Sequence, residues 1–331
     1  MKDEQSMQCW PSLTQYGSAM PLKGGNLFYY DTGKMIKRIE NTAGEKTIMP
    51  EKPVSSLPVL VLIHGLGDEA DSFRHLIPLL SRTGYRILAP DLPGFGRSTG
   101  KQPGNNMSHN TKFPWKGKLS LNEHAGTVLA LMKETSAVST KTPAVLIGSS
   151  MGAIIAQIIA GRQPELVKAI IVIDGCHPLS GNAKPGILLM ALPFIGKKWY
   201  RNFRKDHEGA WKSLYMYYRD LDAMNEEDKN FLRNRVINRV ESISQEQAYF
   251  SSLRSMIGFT VFGNSNFSRR GDSLKTLLLW GEADRVISFE QTSRFRSMYP
   301  QAEYQLIAGA GHLPHQEAPE DTAAAILNWL K

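Results

Sequence analysis

The chain has 331 residues, enough for one large α/β domain or two small ones. Hydrophobic residues make up 42% and charged residues 21%, which is ordinary for a globular protein and excludes a disordered or fibrous chain. Only two cysteines occur, Cys9 and Cys176, so a disulfide framework is excluded. The formal net charge is +8, but the chain has no zinc-finger spacing, no aromatic RNA-binding signature and no dense Lys/Arg block. We therefore expect no nucleic-acid partner.

The N-terminal residues give no targeting signal. Residues 1–6 include Asp3 and Glu4 and lack the apolar stretch of a secretory signal. The longest apolar runs, residues 169–173 and 186–195, are shorter than the roughly 20 residues that a membrane span needs. The expectation is a protein without a membrane span and with a cytoplasmic location.

The first quarter of the chain predicts little regular structure. Residues 1–25 are polar and mixed, and are expected to form a peripheral N-terminal arm. Leu27–Tyr30 and Met35–Ile39 are predicted to be strands of an early hairpin. Residues 43–58 contain three prolines and little apolar pattern, which indicates a loop.

From residue 59 onward, apolar strand-like runs alternate with helix-like segments. The predicted strands are Val59–Ile63, Arg86–Ala89, Ala144–Ile147, Ala169–Ile173, Leu277–Trp280 and Tyr304–Ile307. The predicted helices are Ala70–Thr83, Leu121–Thr135, Ala153–Arg162, Phe289–Met298 and Pro319–Leu330. Continuous apolar runs are typical of strands buried on both faces of a parallel sheet. The fold class is therefore α/β, a mostly parallel twisted sheet flanked by helices, with its core in residues 26–175 and 273–331.

Residues 176–272 break this alternation with a helical, aromatic-rich pattern. We expect them to form a helical cap, or lid, inserted between two strands of the sheet. Between His177 and Arg270 there are 15 Lys/Arg against 9 Asp/Glu, so most of the excess positive charge lies here. This surplus is explained either by a solvated helical surface or by an anionic partner, of which an acidic acyl carrier is one candidate.

The strongest chemical signal is Gly148-Ser149-Ser150-Met151-Gly152, a G-x-S-x-G between a predicted strand and a predicted helix. A serine on such a sharp turn is exposed above the sheet, and the glycines let neighbouring backbone pass. Ser150 is therefore the candidate nucleophile, while Ser149 lies on the wrong side of the turn. The N–H of Met151, at a helix N-terminus, is a candidate oxyanion donor.

A nucleophilic serine needs a base and an orienting acid, and both follow later strands. Asp284 comes just after the strand that ends at Trp280, and His312 comes just after the strand that ends at Ile307. The order Ser150, Asp284, His312 is the Ser, Asp, His order of one hydrolase fold. Asp174 also ends a strand and is a second candidate for the acid.

These motifs resemble the α/β-hydrolase superfamily, in its capped serine carboxylesterase-like branch. Besides the elbow at 148–152, the resemblance rests on His64-Gly65-Leu66-Gly67-Asp68 and on the loop Asp91–Ser98, and it covers roughly residues 59–174 and 274–331. It implies that the Leu66 N–H is the second oxyanion donor, that the Asp91–Ser98 loop is structural, and that no metal or organic cofactor is required. It also favours Asp284 over Asp174 as the triad acid, because Gly281–Val286 matches the acid loop of the family.

Three look-alike patterns have simpler explanations. Gly94–Thr99 resembles a dinucleotide-binding loop, but its sixth position is Thr99 and no helix is predicted there. His312 and His315 have the spacing of a metal-binding pair, but no third ligand is apparent in the sequence. His315 is therefore expected to line the pocket or form a hydrogen bond. His64 is expected to hold a loop rather than act as a base.

The predicted function is hydrolysis of a small-molecule carboxylic ester through an acyl-enzyme intermediate, with Ser150, His312 and Asp284 as the triad. The aromatic cap favours an apolar acyl or ring-bearing substrate. The alternatives are a C–C bond hydrolase, which Gly311–Glu317 also resembles, and a cofactor-free perhydrolase. A non-catalytic ligand-binding receptor is the alternative from another class. The sequence leaves open the physiological substrate, the oligomeric state and the cap residues that line the pocket.

Overall fold

The protein is described by a computed structural model that covers residues 9–33, 57–98, 119–175, 185–262, 274–287 and 299–331. One eight-stranded sheet has the order β1-β2-β4-β3-β5-β6-β7-β8. Its strands are β1 Gly17–Leu22, β2 Gly25–Asp31, β3 Leu60–Ile63, β4 Ile87–Pro90, β5 Ala144–Ser149, β6 Val167–Ile173, β7 Lys275–Gly281 and β8 Glu303–Ile307. β2 pairs antiparallel with both β1 and β4, and the other five pairings are parallel, which confirms the predicted mostly parallel sheet.

The described residues include ten α-helices. They are α1 Leu76–Ser81, α2 Leu121–Glu134, α3 Met151–Arg162, α4 Pro185–Ala191, α5 Pro193–Asn202, α6 His207–Lys212, α7 Glu226–Glu241, α8 Ile243–Phe262, α9 Pro314–Glu317 and α10 Pro319–Leu330. The predicted helix Phe289–Met298 lies outside the described residues. None of the helices in the described parts of the chain is both long and apolar enough to cross a bilayer.

Helices cover both faces of the sheet, as a doubly wound fold requires. Every residue of β3, β4 and β5 is buried, and these strands have the continuous apolar runs seen in the sequence. The core on one face includes apolar side chains of α2 and α3, such as Val128 and Ile154. The core on the other face includes side chains of α1 and α10, such as Leu80 and Ile326. The central parallel strands are thus shielded from water on both sides.

The N-terminal arm was predicted to extend to residue 25, but the sheet begins before that. Gly17–Leu22 forms the edge strand β1, which pairs with β2 through a tight turn at Lys23-Gly24, where Gly24 has a φ of 111°. Burial alternates along β1, with Met20 buried between two exposed residues. One-sided burial leaves no continuous apolar run, so the sequence pattern did not reveal this strand. The predicted hairpin partner Met35–Ile39 lies outside the described residues.

The described part of the predicted cap, residues 185–262, contains five helices, α4 to α8, between β6 and β7. We call residues 185–262 the cap. Buried ion pairs connect its helix α7 to the loop after β3: the Arg74 guanidinium donates to Asp228, and Arg235 contacts Asp71 at 2.9 Å. All four of these side chains are nearly inaccessible to water. Because separating a buried pair leaves an uncompensated charge, these contacts fix α7 against the core.

Candidate active site

Ser150 occupies a strained turn between β5 and α3. Its backbone has a φ of 50° and a ψ of −114°, which side chain-bearing residues rarely adopt. The flanking glycines make the turn sterically feasible. A Cβ on Gly152 would lie 2.0 Å from the Ile63 carbonyl oxygen, and one on Gly148 would lie 2.4 Å from the Gly152 carbonyl oxygen. The glycines of the G-x-S-x-G motif are therefore required by close backbone contacts, as the motif predicts.

Four chemically active residues follow four neighbouring strands at one edge of the sheet. Ser150 follows β5, Asp174 follows β6, Asp284 follows β7 and His312 follows β8. Backbone hydrogen bonds continue past the strand ends, because the Ser150 N–H donates to Ile173 and the Asp174 N–H donates to Leu279. Parallel strands thus bring together residues that are far apart in the sequence.

His312 and Asp284 form a buried hydrogen-bonded pair. The imidazole Nδ1 of His312 lies 2.9 Å from Asp284 Oδ2, and both side chains are almost fully buried. The other carboxylate oxygen of Asp284 accepts hydrogen bonds from the backbone N–H groups of Val286 and Ile287, at 2.7 and 3.0 Å. These contacts keep the carboxylate in place and favour a proton on Nδ1, which leaves Nε2 of His312 free to accept one.

The predicted acid and base are hydrogen-bonded to each other, whereas the predicted base and nucleophile are not. Within the described residues, no hydrogen bond joins the Ser150 hydroxyl to the His312 ring. Catalytic hydrogen bonds are often long or poorly aligned without substrate. The assignment of Ser150, Asp284 and His312 as a triad therefore stays a prediction, supported by their common sheet edge and the Asp284–His312 pair.

Asp174, the alternative acid, lies beside Asp284 in a fully buried position. Suitable polar atoms of Asp174, Asp284 and His312 all lie within 4.8 Å of one another. One oxygen of Asp174 accepts a hydrogen bond from the Gly281 N–H at 2.9 Å. Burial raises the pKa of Asp174 well above its usual value, and the negative charge of Asp284 raises that pKa further. Both effects favour the neutral form of Asp174.

His64 holds the loop in which the predicted oxyanion donor Leu66 lies. Its Nε2 accepts a hydrogen bond from the Leu92 N–H at 2.9 Å, so its Nδ1 donates to the Gly65 carbonyl oxygen at 2.8 Å. A Cβ on Gly65 would lie 3.3 Å from Ser150 Cβ, which places this loop against the serine. His64 thus acts as a loop-holding residue. The N–H of Met151 lies in the first turn of α3, where amides lack intrahelical acceptors.

The loop after β4 is structural, as the resemblance implies. The Asp91 carboxylate accepts hydrogen bonds from the N–H groups of Ala70 and Arg97, each at 2.7 Å, and from the Arg97 guanidinium. No helix begins in its described part, residues 94–98, so the geometry of a dinucleotide-binding loop is absent there. His315, the other look-alike, is hydrogen-bonded to Ser72 at 2.8 Å.

The cap contacts the loop that holds His312, which the sequence did not reveal. The His312 N–H donates to the Tyr217 carbonyl oxygen at 2.7 Å. Glu317 accepts hydrogen bonds from the N–H of Gly311 through one carboxylate oxygen and from the N–H of Arg219 through the other, each at 2.7 Å. Glu317 is the last residue of Gly311–Glu317, the segment that resembles C–C bond hydrolases. Membership of that segment is the only feature of the sequence that pointed to a role for Glu317.

Two buried histidines predict a specific loss of stability in acid. Burial lowers the pKa of His124 to about 3 and that of His315 to about 3. The unfolded chain, with histidine pKa values near 6.5, therefore binds more protons than the folded chain between about pH 6.5 and 3. The stability that each histidine contributes is therefore fully present above about pH 6.5 and falls by up to about 1.4 kcal/mol per pH unit below it.

Urea unfolding at several pH values between 7.5 and 4.5 measures this dependence. His124→Gln removes one titrating group from a site where Nε2 is hydrogen-bonded to Ser252. The variant should show a shallower decline with pH than the wild type, whatever its stability at pH 7.5. Identical slopes for the two proteins would contradict a neutral, buried His124.

Comparisons with known proteins match most of the chain to one family. Residues 58–319 match the model of the alpha/beta hydrolase fold family. An uncharacterized hydrolase of Bacillus subtilis, YugF, is 26% identical over 82% of this chain and 89% of its own length. Lipase 3 of a Moraxella strain is 24% identical over 87% of this chain and 82% of its own length. Among solved structures, Cfl2 from Burkholderia cenocepacia superposes with a TM-score of 0.70 at 16% identity, over 95% of both chains.

Proposed function

The chain belongs to the α/β-hydrolase fold family, and from this premise we propose that it cleaves carboxylic esters as a serine hydrolase. The observation that carries the proposal is the buried hydrogen bond of 2.9 Å between His312 Nδ1 and Asp284 Oδ2. It lies at the same sheet edge as the strained turn that presents Ser150. A lipase among the relatives of the chain supports an ester as the substrate.

In the proposed reaction, Ser150 attacks the ester carbonyl carbon while Nε2 of His312 accepts the hydroxyl proton. Asp284 keeps the proton on Nδ1 and stabilises the imidazolium that forms. The N–H groups of Met151 and Leu66 donate to the oxyanion, a contribution of about 3–4 kcal/mol for a single donor in measured cases. His312 then protonates the departing alcohol, and water, activated by the same imidazole, hydrolyses the acyl-enzyme. No metal or organic cofactor takes part.

The surroundings of the site favour an apolar acyl group or a ring in the substrate. The ring of Tyr217 lies 5.9 Å from that of His312, and the ring of Tyr249 lies against the Gly67 position in the oxyanion loop. The Leu66 side chain packs on a cap cluster that contains Phe250. The walls next to the predicted oxyanion site are thus largely aromatic and aliphatic. The positive charge of the cap also suits an ester carried on an acidic acyl carrier.

A p-nitrophenyl ester series tests the proposal directly. Acetate, butyrate and octanoate esters should all be hydrolysed, with a fast initial release of about one p-nitrophenolate per chain if deacylation is the slower step. Rapid acid quench followed by peptide mass spectrometry should place the acyl group on Ser150. Turnover with the acyl group on another residue, or no turnover of any ester, would overturn the proposal.

The same experiment separates the rival functions. A C–C bond hydrolase would cleave a vinylogous diketone much faster than any of these esters, and a perhydrolase would form a peracid when hydrogen peroxide is added. A non-catalytic receptor would bind esters without releasing p-nitrophenolate. The ester proposal requires that hydrolysis of the preferred ester exceeds both other reactions in kcat/KM.

A further inference from the structure

Helices α4 and α5 of the cap expose a concentrated set of large apolar side chains. Of the eleven exposed large hydrophobic residues in the described parts of the chain, six lie between residues 188 and 199. They are Leu188, Leu189, Leu192, Phe194, Ile195 and Trp199, and we call them the outer patch. Phe194 is 89% exposed, more than any other residue of this set. Single exposed apolar residues are common, but six within twelve positions form a site that needs an explanation.

The exposed side chains of α5 do not belong to the side that packs on the rest of the cap. The opposite side of α5 already packs against α8. Gly196 is buried, and a Cβ there would lie 2.6 Å from the Phe250 ring of α8. Tyr200 is 5% exposed and its ring contacts the same phenylalanine, with 5.8 Å between ring centroids. The Arg201 guanidinium also donates two hydrogen bonds to Glu246 of α8. These contacts fix the rotation of α5, so that Phe194, two residues before the buried Gly196, faces outward.

Positive charge accompanies the outer patch. Residues 188–205 contain five Lys or Arg and no Asp or Glu. Two of the five, Arg201 and Arg204, are paired with Glu246. The remaining three are Lys197, Lys198 and Lys205, and none of them forms an ion pair with a residue that the structure describes. Lys197 and Lys198 thus lie on the same helix as Phe194 and Trp199, and Lys205 follows that helix.

We propose that the outer patch docks onto an anionic phospholipid surface, with the apolar side chains inserted among the acyl chains and the lysines at the headgroups. Phe, Trp and Leu on one side of a helix, with Lys and Arg beside them, is the composition of helices that lie in a membrane interface. Each lysine near an anionic surface adds attraction, and Trp favours the headgroup level. A complementary protein surface or a second copy of the chain would cover the apolar residues equally well, but the lysines without acids favour an anionic lipid. The proposal does not depend on the reaction that the protein catalyses.

Vesicle co-sedimentation tests this docking. The wild type should bind vesicles of equal parts phosphatidylcholine and phosphatidylglycerol at least about tenfold more tightly than pure phosphatidylcholine vesicles, and salt should weaken this binding. Phe194→Asp should reduce the partition coefficient on the anionic vesicles by about tenfold or more, because it removes an inserting ring and adds a negative charge. Phe194 lies in the first turn of α5, where Asp is compatible with the helix.

Ile243→Asp is the matched control. Ile243 is 47% exposed, begins α8, and lies outside the outer patch, so its replacement makes the same change in charge at another helix start. This variant should bind vesicles like the wild type, and both variants should keep the wild-type circular dichroism spectrum and melting temperature. Equal loss of binding in both variants, or no binding by the wild type, would overturn the proposal. So would a dimer in sedimentation velocity that Phe194→Asp dissociates while vesicle binding is unchanged.

Discussion

Replacing Ser150 with alanine is expected to lower kcat for p-nitrophenyl butyrate by about 10⁵- to 10⁶-fold, since the proposed acyl-enzyme then cannot form. The residual rate would come from oxyanion donors and substrate binding alone. Steady-state hydrolysis, with the free energy of unfolding measured alongside, separates this effect from misfolding. Ser150 is only partly buried and its hydroxyl makes no hydrogen bond within the described residues, so the variant should be about as stable as the wild type.

Ser149→Ala is the control for this variant, because it removes the adjacent hydroxyl. Ser149 is 1% exposed, and its hydroxyl has no hydrogen-bond partner in the described residues. It ends β5 on the inner side of the turn, so its loss should change kcat by less than tenfold. If the two alanine variants have similar kcat values, the assignment of Ser150 as nucleophile fails.

The second large effect is expected at Asp284. An asparagine there would present an amide to Nδ1 of His312, favour the wrong imidazole tautomer, and lower kcat by about 10⁴-fold. The structure supports this expectation because Asp284 Oδ2, and not a carboxylate oxygen of Asp174, makes the hydrogen bond to the ring. The measurement is kcat against pH for the same ester, which also reports whether the base retains its titration.

Asp174→Asn is the matched variant for Asp284→Asn. Burial and the neighbouring charge raise the pKa of Asp174 and so favour its neutral form, to which an amide of nearly the same shape is the closest replacement. Its kcat should fall by less than about tenfold. A reversed order, with the larger loss at Asp174, would identify Asp174 as the acid that orients His312.

Much of the sheet could be predicted from the sequence, because strands buried on both faces must be continuously apolar. Val59–Ile63 and Ala169–Ile173 agree with β3 and β6 to within two residues at each end. The elbow could be predicted because its glycines are required by backbone contacts that no other residue allows. The sequence predicts structure well at positions where a single physical constraint, such as burial on both faces or a close backbone contact, determines the residue type.

The predictions that were wrong or missing depend on long-range contacts. The segment Ala70–Thr83 was predicted as one helix, but it forms a 3₁₀ turn, Ala70–Phe73, followed by α1. Its polar residues Asp71 and Arg74 are drawn into buried hydrogen bonds with distant side chains, which favour the irregular start over a regular amphipathic helix. The raised pKa of Asp174 likewise comes from its burial in the fold and from a neighbour 110 positions away, and nothing adjacent in the sequence indicates it.

The carboxylate of Glu317 limits how this enzyme can be redesigned. Its two oxygens hold the amide of Gly311, next to the proposed base His312, and the amide of Arg219 in the cap. A chimaera that takes its cap from another hydrolase would therefore change the backbone on which the histidine rests, as well as the substrate-facing surface. Chimaeras that keep residues 217–220 of this chain should preserve turnover. Chimaeras that replace these residues should lose both substrate selectivity and rate.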